Sequence, residues 1–281
     1  MQENRIRITW YGTASVRITA GDSQLLIDPF FPYPESSVKV DADAYAGCSR
    51  ILVTHGHFDH ISSIPFLMCP DTLISCTNVP YRSLCKMGVA ESHLHRIKAG
   101  DEFHAGDFRI TVIKGNHSRL GPGNILKALC SKRVLQNRKG LLKKLQMIAA
   151  CREKHESICY LIEVYGRRIL ILGSLALSPD TAYPEGADLA LFPYQGFGSL
   201  CETAEAICGQ LRPGAILLTH YDDTFPPFSS EVDTSEFTAS AKKQAAVYQL
   251  RHGGTLILGS EGKCRVESDT ARPEDDHENN H

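Results

Sequence analysis

The stretch Thr54-His55-Gly56-His57-Phe58-Asp59-His60 places three histidines and an aspartate within six residues. It directly follows the apolar run Ile51-Leu52-Val53, which is typical of a buried strand. In an extended segment, residues two apart point to the same side, so His55 and His57 can converge on one ion. The aspartate and the histidine that follow can turn toward a second position.

Neutral imidazole and carboxylate ligands suit zinc, manganese or iron better than calcium or magnesium. The stretch therefore predicts a metal site at the carboxyl end of a strand. The alternative interpretation is a surface loop that happens to be rich in histidine. Further ligands at other strand ends would favour the metal site.

The composition bounds the class of protein. A chain of 281 residues is long enough to bury a large core without disulfide staples. The 30 basic and 32 acidic residues give a net charge of −2, so no global preference for nucleic acid or acidic surfaces exists. The ten cysteines form no Cys-x-x-Cys pair, no apolar segment follows a basic start, and no apolar run approaches the roughly 20 residues that span a bilayer. We therefore expect a cytoplasmic protein with reduced thiols.

Periodicity predicts a β-rich chain with helices between two strand groups. Alternation of apolar and polar residues predicts a first meander over residues 6–10, 16–19 and 24–27. Later strands are predicted over residues 108–113, 158–164, 168–172, 188–194 and 215–219. Helical spacing predicts helices over residues 61–68, 203–211 and 235–250. Polar residues follow several of these strands, namely Asp28, His117, Ser174 and His220.

The His-x-His-x-Asp-His pattern of residues 55–60 resembles the signature of the metallo-β-lactamase superfamily. The resemblance covers residues 5 to about 265 and implies an α/β (α+β) fold, a four-layer αββα sandwich with two sheets face to face and helices outside. Trp10-Tyr11-Gly12 and Ile27-Asp28-Pro29 resemble the opening of the branch that contains ascorbate-6-phosphate lactonase and N-acyl phosphatidylethanolamine phospholipase D. That branch usually has His where this chain has Thr13.

The resemblance also implies a ligand set. The first metal site would consist of His55, His57 and His117, and the second of Asp59, His60 and His220. Zinc is expected in both, with manganese or iron as alternatives. Asp28 is implied to hold a ligand histidine by accepting its other N–H.

One residue departs from the family pattern. After the second hairpin the family usually places Gly-Asp, whose carboxylate bridges two ions, whereas this chain has Gly173-Ser174. One subclass of metallo-β-lactamases binds two zincs through the same six ligands with a serine at such a position. The sequence leaves open whether one or two ions bind.

Residues 118–156 form a basic insertion with ten basic residues and two acidic ones. Apolar residues at helical spacing predict two amphipathic helices broken near Gly140. Because the segment follows His117, we expect it to lie over the site as a lid of a single domain, residues 1–266. Residues 267–281 are predicted to form an acidic disordered tail.

Two interpretations of the basic residues remain open. They either form a solvated face, or residues 119–154 recruit an anionic substrate or an anionic membrane surface. Nucleic acid is not expected, because the segment lacks aromatic residues for base stacking.

The leading hypothesis is a metal-dependent hydrolase in which a metal-bound hydroxide attacks an ester, lactone or phosphodiester, with an anionic substrate favoured. Asp59 is the predicted catalytic residue, because it would hold the second metal and orient the hydroxide. Candidate substrate contacts are Tyr194, Tyr221 and Asp222, which follow strands that end at the site. The alternatives are a protein that binds metal, an anion or a membrane at a degenerate site without catalysis and, ranked lower, a mononuclear iron oxygenase.

Overall fold

The computed structural model describes residues 4–117, 144–146, 148, 151, 156–196 and 198–267. In chain order its strands are β1 Ile6–Gly12, β2 Ser15–Ala20, β3 Ser23–Ile27, β4 Arg50–Leu52, β5 Leu73–Cys76, β6 Leu94–Arg96, β7 Glu102–Ala105, β8 Phe108–Lys114, β9 Ile158–Val164, β10 Arg167–Ile171, β11 Leu189–Pro193, β12 Ala215–Thr219, β13 Ala246–Tyr248, β14 Thr255–Leu258 and β15 Cys264–Val266. The α-helices that lie entirely within the described residues are α1 Phe58–Ile61, α2 Asn78–Lys86, α3 Leu200–Leu211 and α4 Ser235–Ala241. Short 3-10 helices cover Ala42–Tyr45, Ile64–Phe66 and Glu91–His93.

The strands form two sheets with related topologies. The first has the order β15-β14-β1-β2-β3-β4-β5-β6, and the second has the order β13-β12-β11-β10-β9-β8-β7. In each sheet an antiparallel meander is followed by parallel strands, β3 to β6 in the first and β10 to β13 in the second. The chain therefore builds a similar half twice.

The two sheets pack face to face through the side chains that point inward from their strands. Along β1, Ile6, Ile8 and Trp10 are buried and the residues between them are not. They join the largest core cluster together with inward-facing residues of the second sheet such as Tyr160 and Leu217. This cluster fills the space between the two sheets.

Helices cover both outer faces. A second core cluster packs α3 and α4 against the second sheet, where the rings of Phe192 and Phe237 stack with centroids 6.3 Å apart. A third cluster packs α2, through Leu84, against Ile51 and Ile74 of the first sheet. The predicted four-layer αββα sandwich is thereby confirmed.

The topology gathers strand ends at one edge of the sandwich. β1, β3 and β4 run in the same direction in the first sheet, as do β8, β10, β11 and β12 in the second. The two sheets are joined at this edge by a backbone bond from Ile158 N to Thr54 O, 3.0 Å long, and by a β-bridge between His55 and Ser157. Residues that follow these strands therefore lie near one another.

Two predicted helices differ from the structure. The segment predicted over residues 61–68 contains the end of α1 and a separate 3-10 helix with Pro65 at its first turn. The helix predicted over residues 235–250 ends at Ala241, and Ala246–Tyr248 instead forms β13, which pairs in parallel with β12. Among the described helices, none is long and apolar enough to cross a membrane.

Most of the predicted basic insertion, and nearly all of the predicted acidic tail, lie outside the described residues. From the insertion the structure describes Lys144, Leu145 and Gln146, which are helical, together with Ile148, Cys151 and Glu156. The predictions of a lid and of a disordered tail stay predictions.

Candidate metal centre

Six side chains from strand ends of both sheets gather into two groups of three. The groups are His55 with His57 and His117, and Asp59 with His60 and His220. Within each group the potential ligand atoms all lie within 4.8 Å of one another. The structure thus brings together all six ligands predicted from the sequence.

The first triad combines the loop after β4 with the loop after β8. Nε2 of His55 lies 2.9 Å from Nδ1 of His57. The ring centroid of His117 lies 5.0 Å from that of His55 and 4.7 Å from that of His57. Three imidazoles at these separations can face a single small cation.

The second triad combines α1 with the residue after β12. Oδ2 of Asp59 lies 3.0 Å from Nε2 of His220 and 3.7 Å from Nε2 of His60. The two triads are adjacent, because the ring centroids of His55 and His60 are only 3.9 Å apart. The arrangement therefore has the form of two neighbouring sites.

Asp28 orients one histidine of each triad, His60 directly and His55 through the hydroxyl of Thr54. Its Oδ2 lies 2.8 Å from Nδ1 of His60, and its Oδ1 accepts the backbone N–H of Thr54 at 2.8 Å. The Thr54 hydroxyl donates to Oδ2 of Asp28 at 2.5 Å, so the hydroxyl oxygen is available to accept from Nδ1 of His55, which lies 3.0 Å away. A carboxylate can only accept, so Nδ1 of His60 carries a proton and its Nε2 is left as a metal ligand.

Electrostatics favour the metal-binding protonation state at His55 and Asp59 and oppose it at His220. Burial, together with the neighbouring histidines, holds the pKa of His55 well below its ordinary value, so its imidazole is neutral. Burial opposes ionisation of Asp59, but His60 and His220 outweigh burial and lower its pKa. Burial likewise opposes protonation of His220, yet its hydrogen bond to Asp59 and the charge of that carboxylate raise its pKa.

Three residues at strand ends of the site adopt a left-handed backbone conformation, with φ of 44° at Thr13, 43° at Asp28 and 61° at His220. Such conformations cost about 1–3 kcal/mol for a residue with a side chain and persist only where the surroundings hold them. Backbone bonds supply part of this support, because His220 N donates to Thr13 O at 2.8 Å.

Thr13 is held in turn by Asp222. Both carboxylate oxygens accept the Thr13 N–H, at 3.0 and 3.1 Å, and Oδ2 lies 2.8 Å from Nε2 of His252. The ring of His252 stacks on Trp10, whose indole N–H donates to Thr13 O. Asp222 therefore orients the loop that holds the backbone of the ligand His220.

A cavity of about 260 Å³ opens onto both triads. Besides the six ligand side chains, its described lining consists of Phe58, Ile148, Gly173, Ser174, Pro193, Gln195, Gly196, Phe225 and Phe228. Ser174 is buried and lines the cavity at the position where the family usually has the bridging carboxylate. A Cβ at Gly173 would lie 2.4 Å from Ile158 O, so only glycine fits between the sheets here.

The three predicted substrate contacts lie away from this cavity. Tyr194 is buried in the second core cluster, where its ring stacks on Phe237, because its side chain points to the outer face of the second sheet. Tyr221 stacks on Trp10, and its hydroxyl donates to Leu250 O. Asp222 accepts hydrogen bonds from Thr13 and lies within hydrogen-bond distance of His252, so it is a positioning residue. We therefore propose none of the three residues as a substrate contact.

Sequence reasoning missed the aromatic lining. Phe225 and Phe228 lie in the loop after His220, and Phe58 lies inside the histidine motif itself. Three phenylalanines within or directly after the ligand segments were a signal that could have found this lining. Ile148 was predicted only as part of an amphipathic helix.

The donor set fits divalent transition metals. Five imidazoles and one carboxylate form two triads of the kind that bind zinc, manganese or iron. All six side chains are buried or half-buried, and Asp28 supplies the outer carboxylate that commonly orients a ligand histidine. These side chains are therefore groups that could hold metal, and they do not identify which metal it is.

The chain is similar in sequence and in fold to known proteins. A family model described as the beta-lactamase superfamily domain matches residues 7–220. A UPF0173 metal-dependent hydrolase of Heliobacterium modesticaldum is 26% identical over 267 residues, which are 92% of this chain and 100% of that protein. A protein of the same name from Xanthobacter autotrophicus is 31% identical over 124 residues, which are 42% of this chain and 51% of that protein.

The matches with the first relatives are partial, because the chain spans about half the length of the proteins from Xanthobacter autotrophicus and Methylobacterium nodulans. Among solved structures, Igni18, a metallo hydrolase from the archaeon Ignicoccus hospitalis, superposes with a TM-score of 0.63 at 18% identity. The superposition covers 90% of this chain and 98% of that chain, which is a likeness of fold.

Proposed function

This chain belongs to the metallo-β-lactamase superfamily, and we therefore propose that it is a metal-dependent hydrolase. The observation that carries the proposal is the pair of adjacent triads at the floor of one cavity. Relatives named metal-dependent hydrolase, which this chain matches over part or all of their length, support the proposal.

The triad residues would hold one or two divalent ions, His55, His57 and His117 the first and Asp59, His60 and His220 the second. When bound, such an ion lowers the pKa of a coordinated water toward neutrality and polarises the oxygen of the bond to be cleaved. Zinc is our first choice, and manganese or iron are the alternatives.

The chain's own residues prepare the site for this chemistry. The depressed pKa of His55 keeps it neutral, and the carboxylate of Asp28 fixes the ring of His60. Asp59 is ionised and faces the cavity beside His220, so it can orient a water molecule by accepting a hydrogen bond from it. We therefore propose Asp59 as the catalytic residue.

For the substrate we propose an ester, a lactone or a phosphodiester. The resemblance of residues 10–12 and 27–29 to the branch with ascorbate-6-phosphate lactonase and N-acyl phosphatidylethanolamine phospholipase D supports this range. An anionic substrate, or contact with an anionic membrane surface, depends on residues 119–154, most of which lie outside the described residues. A cytoplasmic location and the lack of a nucleic-acid partner are retained as parts of the same proposal.

The serine at position 174 is the observation that favours a second candidate function. With a serine in place of a bridging carboxylate, the site could hold a single ion, as a mononuclear iron oxygenase does, or bind a ligand without turnover. Metal stoichiometry separates these alternatives from a dinuclear hydrolase.

The test combines elemental analysis of the purified protein with assays of lactone, phosphodiester and carboxylic ester probes, before and after chelation. His117→Ala should lose metal and turnover, whereas His104→Ala, at an exposed histidine of β7, should keep both. Close to two ions per chain with chelator-sensitive turnover supports the proposal. A chain that takes up no metal after reconstitution refutes it, and one iron per chain without hydrolysis favours the oxygenase.

A further inference from the structure

The cavity has an apolar surface next to the metal triads. Phe225 is 7% exposed, and its ring centroid lies 4.9 Å from that of Phe58 and 6.5 Å from that of His220. Phe228 and Ile148 are half-buried and line the same cavity. An apolar group bonded to the reacting carbonyl or phosphoryl would meet these side chains directly.

Among the described residues that line the cavity, none is a lysine or an arginine. The described lysine of the basic insertion, Lys144, is engaged elsewhere. Its ammonium lies 2.9 Å from Oε1 of Glu35, donates to Pro226 O at 3.1 Å, and sits 4.8 Å from the ring centroid of Tyr33. Lys144 therefore attaches its helical segment to the body of the protein, and its charge is not presented to a substrate in the cavity.

Lys144 and Ile148 are one helical turn apart, so the two positions lie on the same side of the segment. Lys144 thus contacts Glu35 and Pro226, and Ile148, four residues later, lines the cavity. The bond from Lys144 to Pro226 O joins the insertion to the loop after His220. Ile148 of the insertion and Phe228 of that loop both belong to the apolar surface.

We infer that the substrate carries an apolar acyl or alkyl group on the scissile ester, lactone or phosphodiester, and that Phe225, Phe228 and Ile148 bind it beside His220. The inference rests on the proposed hydrolase function and narrows it. For the substrate group next to the scissile bond, it replaces the expectation of a negative charge with an apolar group, because the described lining there is aromatic and aliphatic.

The experiment measures kcat/KM of the metal-loaded full chain for nitrophenyl esters of acetate, butyrate, hexanoate and octanoate. Burial of each methylene should raise kcat/KM about fourfold until the apolar surface is covered. The glutaryl ester, similar in length to the hexanoyl ester but ending in a carboxylate, should be the poorer substrate. Equal kcat/KM across the series, or preference for the glutaryl ester, would overturn the inference.

Phe228→Ala should flatten the dependence on chain length, and Phe228→Leu should restore part of it. Phe66→Ala is the matched control, because Phe66 is 81% exposed and does not line the cavity. Metal content and melting temperature, measured for each variant, separate a lost binding surface from a misfolded chain. If Phe228→Ala folds, binds metal and keeps the wild-type dependence, Phe228 is not part of the binding surface and the inference fails.

A binding assay keeps this inference separate from the proposed function. Calorimetry gives the Kd of acetate, hexanoate, octanoate and glutarate for the metal-loaded protein without any turnover. Tighter binding of octanoate than of acetate, with no ester hydrolysed, would support the apolar surface and count against hydrolysis. Similar Kd values for all four carboxylates would refute the apolar surface whether or not the protein is a hydrolase.

Discussion

Nδ1 of His60 lies 2.8 Å from Oδ2 of Asp28, and each of the two side chains is 1% exposed. The contact joins the end of β3 to the metal-binding loop after β4, two parallel neighbours of the first sheet. It fixes the tautomer of His60, because the carboxylate accepts a hydrogen bond from the Nδ1–H group and leaves Nε2 for a metal. The orientation of a ligand is thus set by a residue far from it in sequence.

Asp28→Asn should weaken metal binding by about 10- to 100-fold at the second triad. The amide offers a single oxygen acceptor, whereas Asp28 accepts from both Thr54 and His60 with two oxygens. Competition with a chromogenic chelator measures the affinity. Asp22→Asn, at an exposed turn after β2, is the control and should behave as the wild type. Equal affinity in the two variants would show that the Asp28 carboxylate does not set the ligand.

Asp222→Ala should lower both the stability of the metal-free protein and its affinity for metal. The Thr13 N–H would lose its buried acceptor, which costs about 1–3 kcal/mol. The Thr13 carbonyl, which accepts from His220 N, would then be less firmly placed. Urea unfolding of the metal-free protein gives the stability, and a metal titration gives the affinity.

Asp180→Ala, at an exposed position, is the control for this pair of measurements and should change neither. His252→Gln, which retains a donor toward Asp222, should fall between Asp222→Ala and the wild type. A loss of stability with unchanged metal affinity would mean that Asp222 supports the fold but does not position His220.

The strand ends of the site could be predicted from sequence, because an alternating or apolar run followed by a polar residue is a local signal. That signal located Asp28, His117, Ser174 and His220. Asp222 was also noticed, but its contact with His252 spans 30 residues, and nothing in the local sequence distinguishes it from a substrate contact.

The same limit explains the errors in secondary structure. Residues 246–248 form a strand because β12 offers them a parallel neighbour, and residue spacing alone cannot reveal that partner. Tyr194 directly follows β11, a strand that is buried on both faces, so no alternation shows which way its ring points. Tertiary pairing, absent from the sequence pattern, decided both cases.

Tyr33→Phe should reduce the loss of stability in alkaline solution. Burial, aided by the Asp59 charge, raises the pKa of Tyr33 from 10.0 to about 12, so the folded chain keeps a proton that the unfolded chain releases. Stability contributed by this group is therefore present below pH 10 and is lost as the pH rises toward 12. Urea unfolding at pH values on either side of this range should show a smaller decrease in the variant.

Tyr183→Phe provides the matched comparison, since burial also raises the pKa of Tyr183 to about 12. Its hydroxyl accepts from Ser178 N at 2.8 Å and donates to Lys114 O at 2.7 Å, whereas the Tyr33 hydroxyl has no hydrogen-bond partner among the described residues. At neutral pH, Tyr183→Phe should cost about 1 kcal/mol for each bond and Tyr33→Phe should cost less. Equal costs at neutral pH would contradict this assignment.

Ser174→Asp should strengthen binding of the second ion, on the order of tenfold or more. Ser174 lines the cavity that opens onto both triads, and a carboxylate there would add a charged side chain where the wild type has a neutral hydroxyl. Ser174→Asn supplies a side chain of the same shape without the charge and should not produce this gain. Metal content after dialysis against a weak chelator measures the difference. If the wild type already retains two ions and Ser174→Asp holds them no more tightly, the six side chains of the two triads suffice and the site needs no bridging carboxylate.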